Sequence, residues 1–321
     1  MAEPKLSNLS VTRSVAGHNQ TFKFAYWQWG KLTSRHVVVC AHGLSRQGRD
    51  FDVLAQALVA ATPSGDIRII CPDVLGRGQS DWLGDPMGYQ IPLYVADMIA
   101  LLTHLHEASP ISKFDWIGTS MGGLIGMVLA GQPDLPLPEP MRKLVLNDVG
   151  PVIEWTAIER IGRYLGQSGD FDSLQAAADA MWSVSTGFGP HTPAQWLELT
   201  RHMIKSVKAL KNIEAAETSA VTSDRLRLHY DPAIAIPFKQ STQASTLAGE
   251  ALLWKIYEQI QAQTLLLRGA DSDLLTRATV LAMQARGPHA QLVEFAGVGH
   301  APTLIADDQV AVVSRFLFDH A

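Results

Sequence analysis

The sequence predicts an α/β protein, a mostly parallel β-sheet flanked by helices and interrupted by a helical cap. Three observations predict it. Short β-branched runs alternate with longer helical patterns along both flanks of the chain, the signature of a parallel sheet with crossover helices. These runs are continuously apolar rather than alternating, as strands buried on both faces are. Between Pro151 and about Leu247 the rhythm stops, and helical spacing replaces it.

The first two runs differ from the rest. Residues 9–17 (LSVTRSVAG) and 21–30 (TFKFAYWQWG) alternate more strictly, with Gly17, His18 and Asn19 between them, which predicts an antiparallel edge hairpin. The buried strands follow at 36–43 (HVVVCAHG), 67–74 (IRIICPDV), 113–120 (KFDWIGTS), 143–150 (KLVLNDVG), 263–270 (QTLLLRGA) and 290–297 (AQLVEFAG). The Pro-rich stretch 133–140 (PDLPLPEP) reads as a surface loop before a strand. In the middle of the chain, Ile158, Ile161 and Leu165 share one helical face, as do Leu174, Ala178, Met181 and Trp182. Leu197, Thr200, Ile204 and Val207 form a stripe beside a second one of Trp196, Leu199 and Met203. A helix apolar over so wide an arc buries more than one side. The expected layout is a core of residues 1–150 and 248–321 with a helical cap at 151–247.

Composition bounds the function. With 321 residues, 47% hydrophobic and 18% charged, the chain has the make-up of a globular protein. A net charge of -5 and the lack of any Lys/Arg-rich block give no electrostatic reason to expect nucleic acid. Met1 to Ser10 contains no apolar run, so no secretory leader is expected. No stretch of about 18 apolar residues predicts a membrane span. The two cysteines, Cys40 and Cys71, each end an apolar run. They read as buried thiols without a disulfide framework, which suits a reducing cytoplasm.

The chemistry concentrates in three places. Residues 118–122 (GTSMG) form a G-x-S-x-G sequence directly after a strand and before a helical run, the context this motif needs. Such a strand-to-helix turn pushes Ser120 outward on strained backbone, and side chains at Gly118 and Gly122 would collide across it. The following helix directs its positive end at the serine. Secondly, residues 42–44 (HGL) end an early strand. Acyl transfer needs two backbone N–H groups aimed at a developing oxyanion; Leu44 and Met121 are the candidates, while His42 reads as a loop anchor. Thirdly, residues 297–302 (GVGHAP) follow the last strand, and Gly297 and Gly299 just before it let His300 reach the serine as general base. No H-E-x-x-H or paired C-x-x-C supports a metal site, and His104 and His106 face different ways on a helix.

Together these residues resemble the α/β-hydrolase superfamily in its Ser, acid, His order. The resemblance covers about residues 20–150 and 250–321, and includes 73–80 (DVLGRGQS), similar to a D-x-x-G-x-G-x-S turn common there. It implies an eight-stranded sheet with the cap inserted after residues 143–148, a carboxylesterase-like activity and no cofactor. The acid should follow the strand at 263–269. Asp273, with Leu275 two positions on, fits the superfamily habit of an aspartate followed by an aliphatic residue, although it stands one residue further from Gly269 than the commonest spacing. Asp271 remains open, and so does Asp148, because some members place the acid after that earlier strand.

Fold alone does not name a reaction. Ser120 at the turn argues against the aspartate nucleophile of dehalogenases and epoxide hydrolases. Carbon–carbon hydrolases of ring-cleavage products keep a serine, but usually with Asn before it and a Gly-rich loop after the first histidine; Thr119 and residues 43–48 (GLSRQG) depart from both. Ester hydrolysis of a small or medium ester or lactone is the expectation. A carbon–carbon bond hydrolase of ring-cleavage products, a perhydrolase and a non-catalytic small-molecule binding protein are the alternatives. Trp155, Trp182 and Trp196 are the cap residues proposed to line the substrate pocket.

Overall fold

The computed structural model of the protein describes residues 3–15, 18–62, 65–167, 169–207 and 225–318. The first half of the chain runs β1 (Lys5–Val15), β2 (His18–Gly30), β3 (His36–Ala41), α1 (Asp52–Ala61), β4 (Arg68–Asp73), α2 (Ile91–Ala108), β5 (Lys113–Thr119), α3 (Met121–Gly131) and β6 (Met141–Asn147). An inserted region holds α4 (Trp155–Tyr164), β7 (Asp170–Phe171), α5 (Leu174–Ser185), α6 (Pro193–Arg201), β8 (Ile204–Ser206), β9 (Leu226–Leu228) and α7 (Ala235–Gln240). The chain then returns through α8 (Gln243–Tyr257), β10 (Gln263–Gly269), α9 (Arg277–Ala285), β11 (Gln291–Phe295) and α10 (Asp307–Phe318).

Eight strands form one sheet in the order β1-β2-β4-β3-β5-β6-β10-β11. Only the edge hairpin is antiparallel: β1 pairs with β2 and β2 with β4 in that sense, and the remaining pairs are parallel. The continuous apolar runs are explained by period two. Val37, Val39, Phe114, Trp116, Leu144, Leu146 and Leu266 join one core with residues of α2, α3 and α8. Their neighbours Val38, Cys40, Ile69, Cys71, Ile117, Val145 and Leu267 join the opposite core with α1 and α10. Each such aliphatic side chain contributes roughly 1.5–3 kcal/mol by leaving water.

The inserted region departs from an all-helical reading. Strands β7, β9 and β8 make a small antiparallel sheet. Leu197 and Thr200 do share α6, but that helix ends at Arg201, and Ile204 lies on β8 opposite Leu228. The partner strand comes from beyond residues 208–224, which lie outside the described residues, so a local periodicity cannot reveal it. The expected boundary at 247/248 falls inside α8, which packs on α3. Among the described residues no helix is long and apolar enough to cross a membrane.

Candidate active site

Strand β5 ends at Thr119 and α3 begins at Met121, so Ser120 alone makes the turn. Its φ of 51° and ψ of -113° place a side-chain-bearing residue in left-handed backbone space, at a cost of order 1–3 kcal/mol. The flanking glycines make this turn possible. A Cβ on Gly118 would sit 2.2 Å from Gly122 O, across the turn, whereas one on Gly122 would sit 2.0 Å from Ala41 O on β3. The second glycine therefore answers to the neighbouring strand rather than to the first.

The loop after β3 is fixed by His42. Its Nε2 accepts the Val74 N–H at 3.1 Å, which leaves the hydrogen on Nδ1, 2.7 Å from Gly43 O. Burial lowers its pKa to about 3, so the ring is a neutral anchor. Beyond it, Leu44 borders the same cavity as Ser120. The Gly122 N–H is taken by His42 O and the Gly123 N–H by Ser120 O, but among the described residues no protein acceptor meets the N–H of Leu44 or Met121. Two unclaimed backbone donors beside a serine hydroxyl are what an oxyanion would bind.

His300 sits in the loop after β11, where Gly297 has a φ of 70° and the Gly299 N–H donates to Gly187 O of the inserted region at 2.6 Å. The imidazole Nε2 is 3.0 Å from Ser120 Oγ, and Nδ1 is 2.7 Å from a carboxylate oxygen. That carboxylate belongs to Asp148, at the end of β6, and not to Asp273. Asp148 is fully buried and accepts from three donors: Gly269 N–H at 2.9 Å, Ser272 Oγ at 2.6 Å and the His300 ring. An ionised carboxylate only accepts, so Nδ1 carries the hydrogen and Nε2 turns its lone pair toward the serine hydroxyl.

The expectation for Asp273 is therefore corrected. Its side chain is 48% exposed and forms a two-point ion pair with Arg160 of α4, at 2.6 and 2.9 Å. Leu275 is buried as an anchor should be, yet the aspartate two residues before it turns outward. Asp271 is exposed as well. A further residue that sequence reasoning missed is Asn147. Its Nδ2 donates to Thr119 Oγ1 at 2.9 Å and to Pro302 O at 2.8 Å, while its carbonyl accepts the Ser120 N–H at 3.0 Å. It thus ties the serine turn to the histidine loop. Its only sequence signal is a polar residue at the end of an apolar strand.

A cavity of about 390 Å³ opens over Ser120 and His300, walled by Leu44 and Arg46 from the core and by Arg160, Tyr164, Met181 and Leu199 from the inserted region. None of the three expected tryptophans lines it. Trp196 is buried among Ala178, Met181, Leu199 and Met203, with its N–H donated to Ala178 O at 2.8 Å. Trp182 packs on the edge of Trp196, centroids 5.1 Å apart. Trp155 opens α4, half-buried, away from the cavity wall.

Comparison with known proteins gives a consistent result. The family model of the alpha/beta hydrolase fold matches residues 36–306. A 3-hydroxybutyrate-oligomer hydrolase of Cupriavidus necator is 47% identical over 315 residues, covering 98% of both chains. An alpha/beta hydrolase from Novosphingobium aromaticivorans superposes with a TM-score of 0.78 at 33% identity, over 99% of each chain. An esterase of Mycobacterium tuberculosis shares the fold at 20% identity, with a TM-score of 0.63 over 100% of this chain and 92% of its own.

Proposed function

Because the chain belongs to the α/β hydrolase fold family, we propose that it cleaves carboxylic esters through a serine-bound acyl intermediate, with short oligoesters of 3-hydroxybutyrate as its substrates. The observation that carries this reading is the His300 ring set between Ser120 and Asp148, at 3.0 and 2.7 Å. The substrate class is supported by the 47% identical relative, whose name specifies 3-hydroxybutyrate oligomers. In such an oligomer the hydroxyl of one unit is esterified by the carboxyl of the next, so every link is a carboxylic ester. The cavity volume of about 390 Å³ falls in the range of small-molecule sites.

The geometry supports the following course of reaction. As Ser120 Oγ attacks the ester carbonyl, His300 Nε2 takes its proton, and Asp148 stabilises the imidazolium that forms. The carbonyl oxygen becomes an oxyanion that the Leu44 and Met121 N–H groups receive. When the C–O bond breaks, His300 returns the proton to the leaving hydroxyl. Water then gives a proton to the same imidazole and attacks the acyl group, releasing the acid and restoring Ser120. No step requires a cofactor.

The test is turnover of a 3-hydroxybutyrate dimer and of an aryl butyrate by the wild type and by Ser120→Ala. Release from both by the wild type and from neither by the variant is expected. Wild-type turnover that survives in the variant refutes the serine mechanism. Tight binding without any turnover favours the reading as a non-catalytic binding protein.

A further inference from the structure

The charge balance of the cavity wall points to the part of the substrate that the inserted region reads. Among the described residues, the charged side chains lining the cavity, besides its imidazoles, are Arg46, Asp50 and Arg160. Arg46 is spoken for: its Nε and Nη2 meet the two oxygens of Asp50 at 2.6 and 2.8 Å, and Nη2 also approaches Leu199 O. Both members of that pair belong to the wall, so they cancel within it. Arg160 differs. Its carboxylate partner Asp273 lies outside the wall and is half in water, and the pair itself is open, at 38% and 48% exposure. The cavity therefore faces one positive charge that no wall carboxylate balances.

We infer that Arg160 of α4 binds the free carboxylate of the substrate, so that the enzyme selects esters ending in a carboxylate and cuts hydroxyacid oligoesters from that end. This rests on the ester-hydrolase reading and adds the group that is recognised. Three features fit the role. A guanidinium presents a planar set of donors, and Asp273 fixes its orientation by holding Nε and Nη2. An ion pair so exposed is weak, so a substrate carboxylate can share or replace Asp273 at small cost. Tyr164 lies one helical turn on, lines the same wall and meets Arg160. Burial raises its pKa, so its hydroxyl stays protonated as a second donor. A neutral ester has no group for this corner, whereas every unblocked hydroxyacid oligomer has one.

The experiment compares kcat/KM for the 3-hydroxybutyrate dimer with kcat/KM for the same dimer ending in a primary carboxamide, a neutral group of the same shape. The wild type should prefer the acid, and rising salt should erode the preference. Arg160→Gln should lose about 10- to 100-fold on the acid beyond any loss on the amide, mainly in KM, the range for a hydrogen bond to a charged group. Arg160→Lys should fall between the two. The wild-type comparison and its salt dependence need no variant to fold. Equal kcat/KM for acid and amide in the wild type, or equal losses on both in Arg160→Gln, overturns the assignment while the ester-hydrolase reading stands. A wild type that cleaves neither dimer nor an aryl ester overturns both.

Discussion

Replacing Asp148 by Asn should disable catalysis through the tautomer of His300. Asp148 is buried and receives Gly269 N–H, Ser272 O–H and His300 Nδ1–H. An amide has one accepting atom and one donating atom, so it cannot satisfy all three. If its oxygen keeps the Gly269 N–H, its NH₂ faces Ser272 and His300. The imidazole then turns Nδ1 into an acceptor and carries its hydrogen on Nε2, pointing at Ser120 Oγ, where it cannot take a proton. In a Ser-His-Asp triad elsewhere the same substitution costs about 10⁴ in kcat, equivalent to about 5 kcal/mol. Stability should suffer as well. Ser272 Oγ already accepts from Leu274 N–H and Leu275 N–H, so its hydroxyl hydrogen has nowhere else to go, and one unmatched buried donor costs about 1–3 kcal/mol. Asp273→Asn loses only an exposed ion pair, worth about 0–1 kcal/mol. The assay is kcat on a neutral aryl butyrate, with Tm recorded for each variant. Asp148→Asn should fall about 10⁴-fold and Asp273→Asn by less than about tenfold. A folded Asp148→Asn that keeps a tenth of wild-type kcat, or a larger loss in Asp273→Asn, refutes the reasoning.

Ser120→Ala should lose about 10⁶ in kcat with a nearly unchanged Tm; turnover within tenfold of wild type removes the nucleophile assignment. Trp196→Ala should destabilise the protein by about 3–5 kcal/mol without altering acyl-chain preference, because the ring sits in a cap core; a changed preference at unchanged stability would put it against the ligand. A vinylogous ring-fission diketone should have a lower kcat/KM than an ester in the same buffer, and the reverse order would restore the carbon–carbon hydrolase alternative. The stability of His229→Gln should depend less on pH. Burial, with Lys205 and Lys23 nearby, lowers the His229 pKa to about 3, so the folded ring stays neutral where the unfolded one protonates. The stabilisation is thus present above about pH 6.5 and is lost as pH falls toward 3, at about 1.4 kcal/mol per pH unit midway. Urea unfolding at several pH values should show a slope smaller by that amount in the variant, and an unchanged slope argues against a buried neutral His229.

The fold was legible wherever a local pattern decides the structure. Strands buried on both faces carry apolar runs instead of alternation, so β3, β4, β5, β6 and β10 stand out without any partner being known, even with Arg68, Asp115, Lys143 and Arg268 among them. The turn at Ser120 was legible for a different reason: Gly118 is needed by sterics within a few residues, and the chain signals this directly, whereas Gly122 is required by Ala41 of the neighbouring strand. The inserted region was not legible to the same degree. Strand β8 depends on pairing with β9 across residues 208–224, and Ile204 fits a helical stripe as well as it fits a strand. The three tryptophans were misplaced because an aromatic stripe at helical spacing marks a buried face and says nothing of whether a ligand or another helix covers it. Tryptophan 196 is covered by Ala178 and Met181.

The acid shows how a sound local rule yields to topology. Adjacent strands lie about 4.8 Å apart, and β10 is the direct neighbour of β11, so the loop after β10 is nearest to His300. Asp148 follows β6, one strand further away, and has to reach past the end of β10. It does so with a φ of 56°, which swings the chain toward β10 and lets Asp148 N–H donate to Leu267 O while its carboxylate takes Gly269 N–H. The residue three after Gly269, at the spacing commonest for the acid, is Ser272, and its hydroxyl donates to Asp148. The loop after β10 therefore still serves the imidazole, by holding the carboxylate that reaches it. That leaves Asp273 free to turn outward and hold Arg160 on α4. The one-residue excess between Gly269 and Asp273 was the visible sign of this exchange: it moves the aspartate off the position facing the histidine and puts it opposite the inserted region.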